Sequence, residues 1–150
     1  HHMSSPHPEG LGARRAVEGA LASAGLSPAD IDYINLHGTA TPSNDVAESL
    51  ALNALFDGTP ASSTKGATGH TLGAAGALEA VISALALRHQ FVPAGVGTTQ
   101  PDPVLHLEYV MASRDARLRT VLSNSFGFGG TNCSLILGRH DILREGSNAS

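Results

Sequence analysis

Two histidines stand where a ring nitrogen can do chemistry. His37 closes an apolar run and is followed by Gly38, and His70 follows Gly69 at the start of a long apolar stretch. A neutral imidazole held in place can donate its N–H to an oxygen that becomes negative during a reaction. At a helix N-terminus the positive end of the dipole disfavours the imidazolium and keeps such a ring neutral, which suits His70. Taken one at a time, each histidine reads equally as a structural residue; their company raises the chemical reading. Lys65 is the single lysine of the chain and lies just ahead of His70, and between it and Arg88 the only formal charge is Glu79. A buried glutamate needs a cation, so Lys65 pairs either with Glu79 or with Glu48, or else acts directly in the chemistry. A third glycine-marked loop, Phe126-Gly127-Phe128-Gly129-Gly130, ends another apolar run. Ligands collect at the carboxyl ends of strands in α/β sheets, so the three loops are expected to converge on one site.

The elements that must position these loops follow from periodicity. Glu9 to Ala24 places Leu11, Val17, Ala20, Leu21 and Ala24 near one helical face, with Gly25 to terminate it. Asp32 to His37 reads as a buried strand that delivers His37 at its end. Asp45-x-x-Glu48 has the spacing of a capping box and predicts a helix with Val46, Leu50 and Leu55 on one face, running to Gly58. Ala61 to Thr64 is a second short strand. A helix from about His70 to His89 follows, in which Gly69, Gly73 and Gly76 predict close approach to a neighbouring backbone. Pro93 to Pro103, with three prolines, is a surface connection. The runs ending at Phe126 and spanning Thr131 to Leu137 predict a hairpin. Helices alternating with strands and a closing antiparallel hairpin define an α/β domain with a mixed β-sheet and flanking helices.

Composition bounds the function. At 150 residues the chain makes one domain, and with 15% charged residues its surface is unusually apolar, as expected where a protein surface is to be covered. A net charge of −4 and the absence of any Lys/Arg run exclude a nucleic-acid partner. One cysteine, Cys133, supports neither an internal disulfide nor a zinc cluster, so a reduced, cytoplasmic protein without a metal site is expected. Leu72 to Leu87 falls short of the roughly 20 residues of a bilayer span and carries Glu79, so no membrane span is expected. The stretch KGATGHTLGAAG lacks the G-x-x-x-x-G-K-[ST] spacing, and its lysine precedes the glycines, which argues against a nucleotide. His7, His89, His106 and His140 read as surface residues. Residues 1–8 open on His1-His2-Met3-Ser4-Ser5 and read as the remnant of a tag and linker, which leaves 9–139 as the domain and 140–150 as a tail.

Three motifs, HGTATPSND from His37, STKGATGHTLGAAGALEA from Ser63 and SNSFGFGGTNCSL from Ser123, resemble in order and spacing those of the C-terminal half of a β-ketoacyl-acyl carrier protein synthase. The resemblance covers about residues 9 to 139 and is nearest to the elongating condensing enzymes of type II fatty acid synthesis. It implies half of a thiolase-like fold, in which two similar α/β halves form a five-layered, usually dimeric molecule. One departure is Asn44, where the family usually has glycine.

The resemblance implies roles residue by residue. His37 and His70 would donate to the thioester oxygen of malonyl-carrier protein and stabilise the enolate left by decarboxylation. The Phe128 N–H would be one donor of an oxyanion hole, and its ring would gate the acyl pocket. Thr39 and Thr41 would hold the phosphopantetheine arm, with Phe126 and Gly129 beside them on the substrate side. Lys65, Asp45, Glu48 and Glu79 would form the supporting polar network. The acyl-bearing cysteine of the family lies in the other half; Cys133 does not match it and is expected to be a small buried residue of the last strand. Implied partners are the N-terminal half, acyl carrier protein and a second copy in a homodimer, with no cofactor beyond the pantetheine arm of the carrier. Without the cysteine-bearing half the chain is expected to be inactive. The alternative is a non-catalytic homologue of the chain-length-factor or scaffold kind.

Overall fold

The computed structural model describes residues 2–139, so the expected tail and the reading of His140 lie outside the described residues. Helix α1 spans Leu11–Ala24, and strand β1 is Tyr33–Asn35. Helix α2 covers Pro42–Asn53, β2 Pro60–Ser62, the single turn α3 Lys65–Thr68 and α4 Ala75–His89. Short strands β3 (Phe91–Val92), β4 (Glu108–Tyr109) and β5 (Arg114–Asp115) precede the hairpin of β6 (Thr120–Phe126) and β7 (Asn132–Gly138).

Five strands form one sheet in the order β4-β2-β1-β6-β7, and β3 pairs with β5 apart from it. The first four run parallel, and β7 returns antiparallel to β6. Register follows the pleat: Ile34 pairs with Ala61 on one side and Leu122 on the other, so apolar side chains line up across the sheet. Ile34, Leu36 and Leu122 face α1 and α2 and pack with Val17, Leu21, Leu52 and Phe56. Tyr33 and Val121 face the other way, against Ala86 and Leu87 of α4. A parallel sheet needs cover on both faces, and this one has helices on each.

Several expectations are corrected. Helix α2 starts earlier than the capping-box reading placed it, with Thr41 as N-cap and Pro42 in the first helical position, so Glu48 lies well inside the helix and is buried. Its inward face is Ala47, Glu48, Ser49, Ala51 and Leu52 rather than Val46, Leu50 and Leu55, and it ends at Asn53. Helix α4 begins at Ala75 after a 3₁₀ turn over Leu72–Ala74, so His70 sits in the connection ahead of it rather than in its first turn. Of the three glycines, only Gly76 makes a close approach: a Cβ there would lie 2.8 Å from Ser125 Oγ, whereas Gly69 and Gly73 have open space. Cys133 is exposed, not buried, because α4 packs mainly on β6 and leaves this end of the edge strand β7 open. Leu135 on β7 and Val81 and Leu85 on α4 are exposed as well. Leu72–His89 is long and apolar enough to cross a membrane by length and composition alone, and it carries Glu79, buried and paired with Lys65, in its middle.

Candidate active site

His37 follows β1 where the chain leaves the sheet. Gly38 turns it with φ +42°, and a Cβ at that position would lie 2.5 Å from Ser63 Cβ, so only glycine fits the turn. The Glu48 carboxylate, delivered from α2, accepts the His37 N–H on Oε1 and the Gly38 N–H on Oε2, each at 2.9 Å. Asn124 of β6 donates its Nδ2 to the same Oε1 at 3.3 Å. Burial raises the Glu48 carboxyl to about 7 despite these three donors.

Lys65 opens α3 and is buried. Its ammonium donates to Glu79 Oε1 and to the His37 carbonyl, and it lies 3.3 Å from His37 Nδ1. Those acceptors occupy the three N–H groups of an ammonium. With Nδ1 turned to a donor, the proton of His37 belongs on Nε2, and burial, then Lys65, then His70 lower its pKa to about 4, which keeps the ring neutral. Glu79 is only 1% exposed; burial raises its pKa, against the pull of Lys65. Of the pairings left open by sequence, Lys65 thus takes Glu79.

The His70 ring stands 5.4 Å from that of His37, centroid to centroid, with the planes at 90°. Its Nδ1 accepts the Leu72 N–H at 3.2 Å, so its proton also belongs on Nε2. The backbone amide of the 3₁₀ turn thus sets which ring nitrogen of His70 can donate. Two imidazoles, each with Nε2–H turned away from its holding partner, stand side by side. Such a pair can donate two hydrogen bonds to one oxygen on which charge develops.

Phe126 ends β6 with its ring 5.7 Å from that of His37. The turn that follows holds Phe128 with 79% of its surface exposed, and the Gly129 N–H donates to the Met3 carbonyl at 2.8 Å. Thr39 and Thr41 share a hydroxyl hydrogen bond of 2.8 Å, and Thr39, Asp45, Ser63, Lys65 and His70 are among the residues lining a cavity of about 900 Å³. Asp45 is hydrogen-bonded to its neighbour Asn44 and touches the network only as a charge near Glu48. The structure thus gathers His37, His70, Lys65, Glu79, Glu48 and Phe126, and leaves Phe128, Gly129 and Thr41 at the exposed edge. Among the described residues no three His, Cys, Asp or Glu side chains gather as metal ligands. Sequence reasoning missed Asn124 and Ser134; the signal was a polar run, Ser123-Asn124-Ser125, inside an otherwise apolar strand.

The mixed sheet with its closing antiparallel hairpin has the fold of a thiolase-like ketosynthase domain. The chain belongs to the beta-ketoacyl synthase family: residues 1–99 match the family's "Beta-ketoacyl synthase, C-terminal domain". That range takes in residues 1–8, the stretch whose composition suggests a tag. The chain is 46% identical over 144 residues to the mitochondrial 3-oxoacyl-[acyl-carrier-protein] synthase of Arabidopsis thaliana, covering 91% of this chain and 31% of that protein. It is 45% identical to 3-oxoacyl-[acyl-carrier-protein] synthase 2 of Coxiella burnetii, covering 93% and 35%. Among solved structures, the ketosynthase ApeO in complex with its chain length factor ApeC from Xenorhabdus doucetiae is 52% identical with a TM-score of 0.86, covering 91% of this chain and 35% of that one. A beta-ketoacyl synthase from Burkholderia phymatum is 40% identical with a TM-score of 0.87, covering 92% and 34%. The chain spans about a third of the length of the relatives it matches.

Proposed function

We propose that this chain is the C-terminal domain of a 3-oxoacyl-[acyl-carrier-protein] synthase, which lengthens an acyl chain by decarboxylative Claisen condensation in fatty acid biosynthesis. The observation that carries the reading is the pair of imidazoles 5.4 Å apart, each fixed as an Nε2–H donor by a partner on its other nitrogen. In this scheme the thioester oxygen of malonyl-carrier protein accepts both N–H groups. As the carbon–carboxylate bond breaks and carbon dioxide leaves, its electron pair becomes the enolate that His37 and His70 stabilise. The enolate carbon attacks an acyl thioester held on a cysteine of the other half, the carbon–carbon bond forms, and the cysteine thiolate departs. The tetrahedral oxyanion accepts the Phe128 N–H and that cysteine's own N–H. Thr39 and Thr41 guide the pantetheine arm, with Phe126 and Gly129 beside the acyl group. Lys65 and Glu79 hold His37 in its tautomer, and Glu48 and Asp45 support the loop from α2. The scheme uses no metal or resident cofactor.

The open apolar face of α4 and β7 suits the cysteine-bearing half, and acyl carrier protein and a second copy complete the assembly, which we place in the cytoplasm. Alone, the chain lacks the nucleophile and one of two oxyanion donors, and one donor is worth about 100-fold or more in rate. The test is mass spectrometry of products from acyl- and malonyl-carrier protein. The expected result is no 3-oxoacyl product from the chain alone and product from the chain continuous with a cysteine-bearing first half. Product from the chain alone, lost on replacing Cys133, would overturn the reading. The solved relative that pairs a ketosynthase with a chain length factor keeps a second reading in view, a non-catalytic homologue that shapes an acyl tunnel. The complete His37, Lys65 and His70 set favours the enzyme.

A further inference from the structure

We propose that Asn124, held in one orientation by Ser134, is a positioning residue that fixes His37 through the Glu48 carboxylate. The proposal rests on reading His37 as a donor to substrate. Asn124 and Ser134 are cross-strand partners in the hairpin register, and Asn124 is fully buried. The Ser134 hydroxyl donates to Asn124 Oδ1 at 2.8 Å. The acceptor-only Glu48 carboxylate takes the donating end of the amide, Nδ2 at 3.3 Å from Oε1, and the Ser134 hydroxyl, donating to the other end, holds the amide in that orientation. With the amide flipped, two oxygens would face each other in a buried setting, which is repulsive.

Glu48 in turn grips two successive backbone N–H groups, those of His37 and Gly38. A carboxylate bridging consecutive amides fixes the peptide between them, and with it the direction in which the His37 side chain leaves the backbone. From the far side Lys65 holds the His37 carbonyl and faces its Nδ1. The chain Ser134, Asn124, Glu48, His37 therefore runs from β7 through β6 and α2 to the end of β1. Because Phe126 and the Phe128 turn lie on the same hairpin, one polar chain, half-buried at Ser134 and buried from Asn124 inward, sets the substrate-facing turn and the imidazole relative to each other.

The grip depends on the charged form of Glu48, which burial opposes. The other charged or titratable groups facing it are Asp45 on α2, whose charge raises it further, and His37 at the end of β1, with Lys65 beyond that ring. Strands β6 and β7 contain no acidic or basic residue, so from the hairpin the Asn124 amide supplies the donor.

The experiment is a carbon-13 NMR titration of the Glu48 carboxyl, with the His37 and Gly38 amides followed alongside, in this chain without substrate. In N124L the Glu48 midpoint is expected to rise by about one pH unit, a tenfold change in proton affinity, as a hydrogen bond to a charged group is lost. S134A is expected to raise it less, S134T to restore the original value, and the S134A effect to vanish in the N124L background. A midpoint unmoved in N124L, or an S134A shift that persists without Asn124, would overturn the proposal. If N124L does not fold, the S134A and S134T pair decides alone: a shift with the first and rescue by the second supports it, and no shift with either overturns it. The titration needs no catalysis. Shifts as expected, with no 3-oxoacyl product from the chain continuous with a cysteine-bearing first half, would leave the positioning chain standing and remove the proposed reaction, and product from that protein without the shifts would do the reverse.

Discussion

The two imidazoles are neighbours, yet they are held in opposite ways. His37 is 5% exposed, and its backbone N–H, its carbonyl and its ring nitrogen all have partners from α2 or α3. His70 is exposed and held at its ring by one amide of the adjacent turn. The difference teaches where this domain is finished and where it awaits another surface. The His37 side is built into the core, whereas the His70 side opens toward exposed Leu72, Val81 and Leu85.

The largest effect should come from the cation that joins the buried side. Lys65→Met leaves Glu79 buried without its partner and is expected to cost about 3–5 kcal/mol in urea unfolding, with most of that recovered in K65M/E79L, where no charge remains to be compensated. Equal stability of K65M and the parent chain would mean that Glu79 is neutral in the fold. Next come the rings themselves. In the condensation assay H37A and H70A should each lower the rate by about 100-fold or more. Only H37A should also destabilise the fold, by about 1–3 kcal/mol, because it strips an acceptor from Lys65; H70A should stay within about 0.5 kcal/mol of the parent. Similar losses of stability in both would break the comparison.

A subtler contrast lies in pH. The folded His37 binds its proton less readily than an ordinary imidazole, with a pKa near 4 against 6.5, so it makes stability rise with pH across that interval. The folded Glu48 binds its proton more readily, at about 7 against 4.5, so it makes stability fall with rising pH over its own interval. Between pH 4.5 and 6.5 the His37 slope opposes that of Glu48, to which Glu79, raised by burial, adds in the same direction. In H37Q the opposing slope is gone, and stability should decline more steeply than in the parent from pH 4.5 to about 7. A flat profile in H37Q would show that Glu48 does not titrate as described. The smallest effect on the chain itself is expected on the open face: V81E should leave stability within about 0.5 kcal/mol yet abolish co-purification with a cysteine-bearing first half.

Much of this was legible in sequence because it is local. A buried strand leading to His37, although it ends at Asn35 rather than at His37 itself, the glycine-rich turn at Phe126 to Gly130 and the returning strand follow from apolar runs and turn chemistry. The pairing of Lys65 with Glu79 was narrowed by the scarcity of charge around that helix. What sequence misread depends on distances through space. Glu48 has the spacing of a cap, but Pro42 starts α2 earlier and the carboxylate points at β1 instead. Small Ala47 and Ala51, not Leu50, line the inner face of α2, where it lies close against α1. Cys133 looked like core because it sits in an apolar strand, and is exposed because that strand is the edge of the sheet. Asn124 gave a signal, the centre of a polar run in a buried strand, but its meaning needs Ser134 across the hairpin and Glu48 on another element.

Lys65 carries the chain's one side-chain amine, and it is sealed beneath His37 with its three N–H groups engaged. An acylating reagent that consumes exposed amines within moments can reach it only when α3 comes away from the His37 loop and Glu79. The pace of its labelling, read by mass against the α-amino group of the same molecule, is therefore a stopwatch for local opening. It would time the movements of the buried side of this site without a probe being introduced.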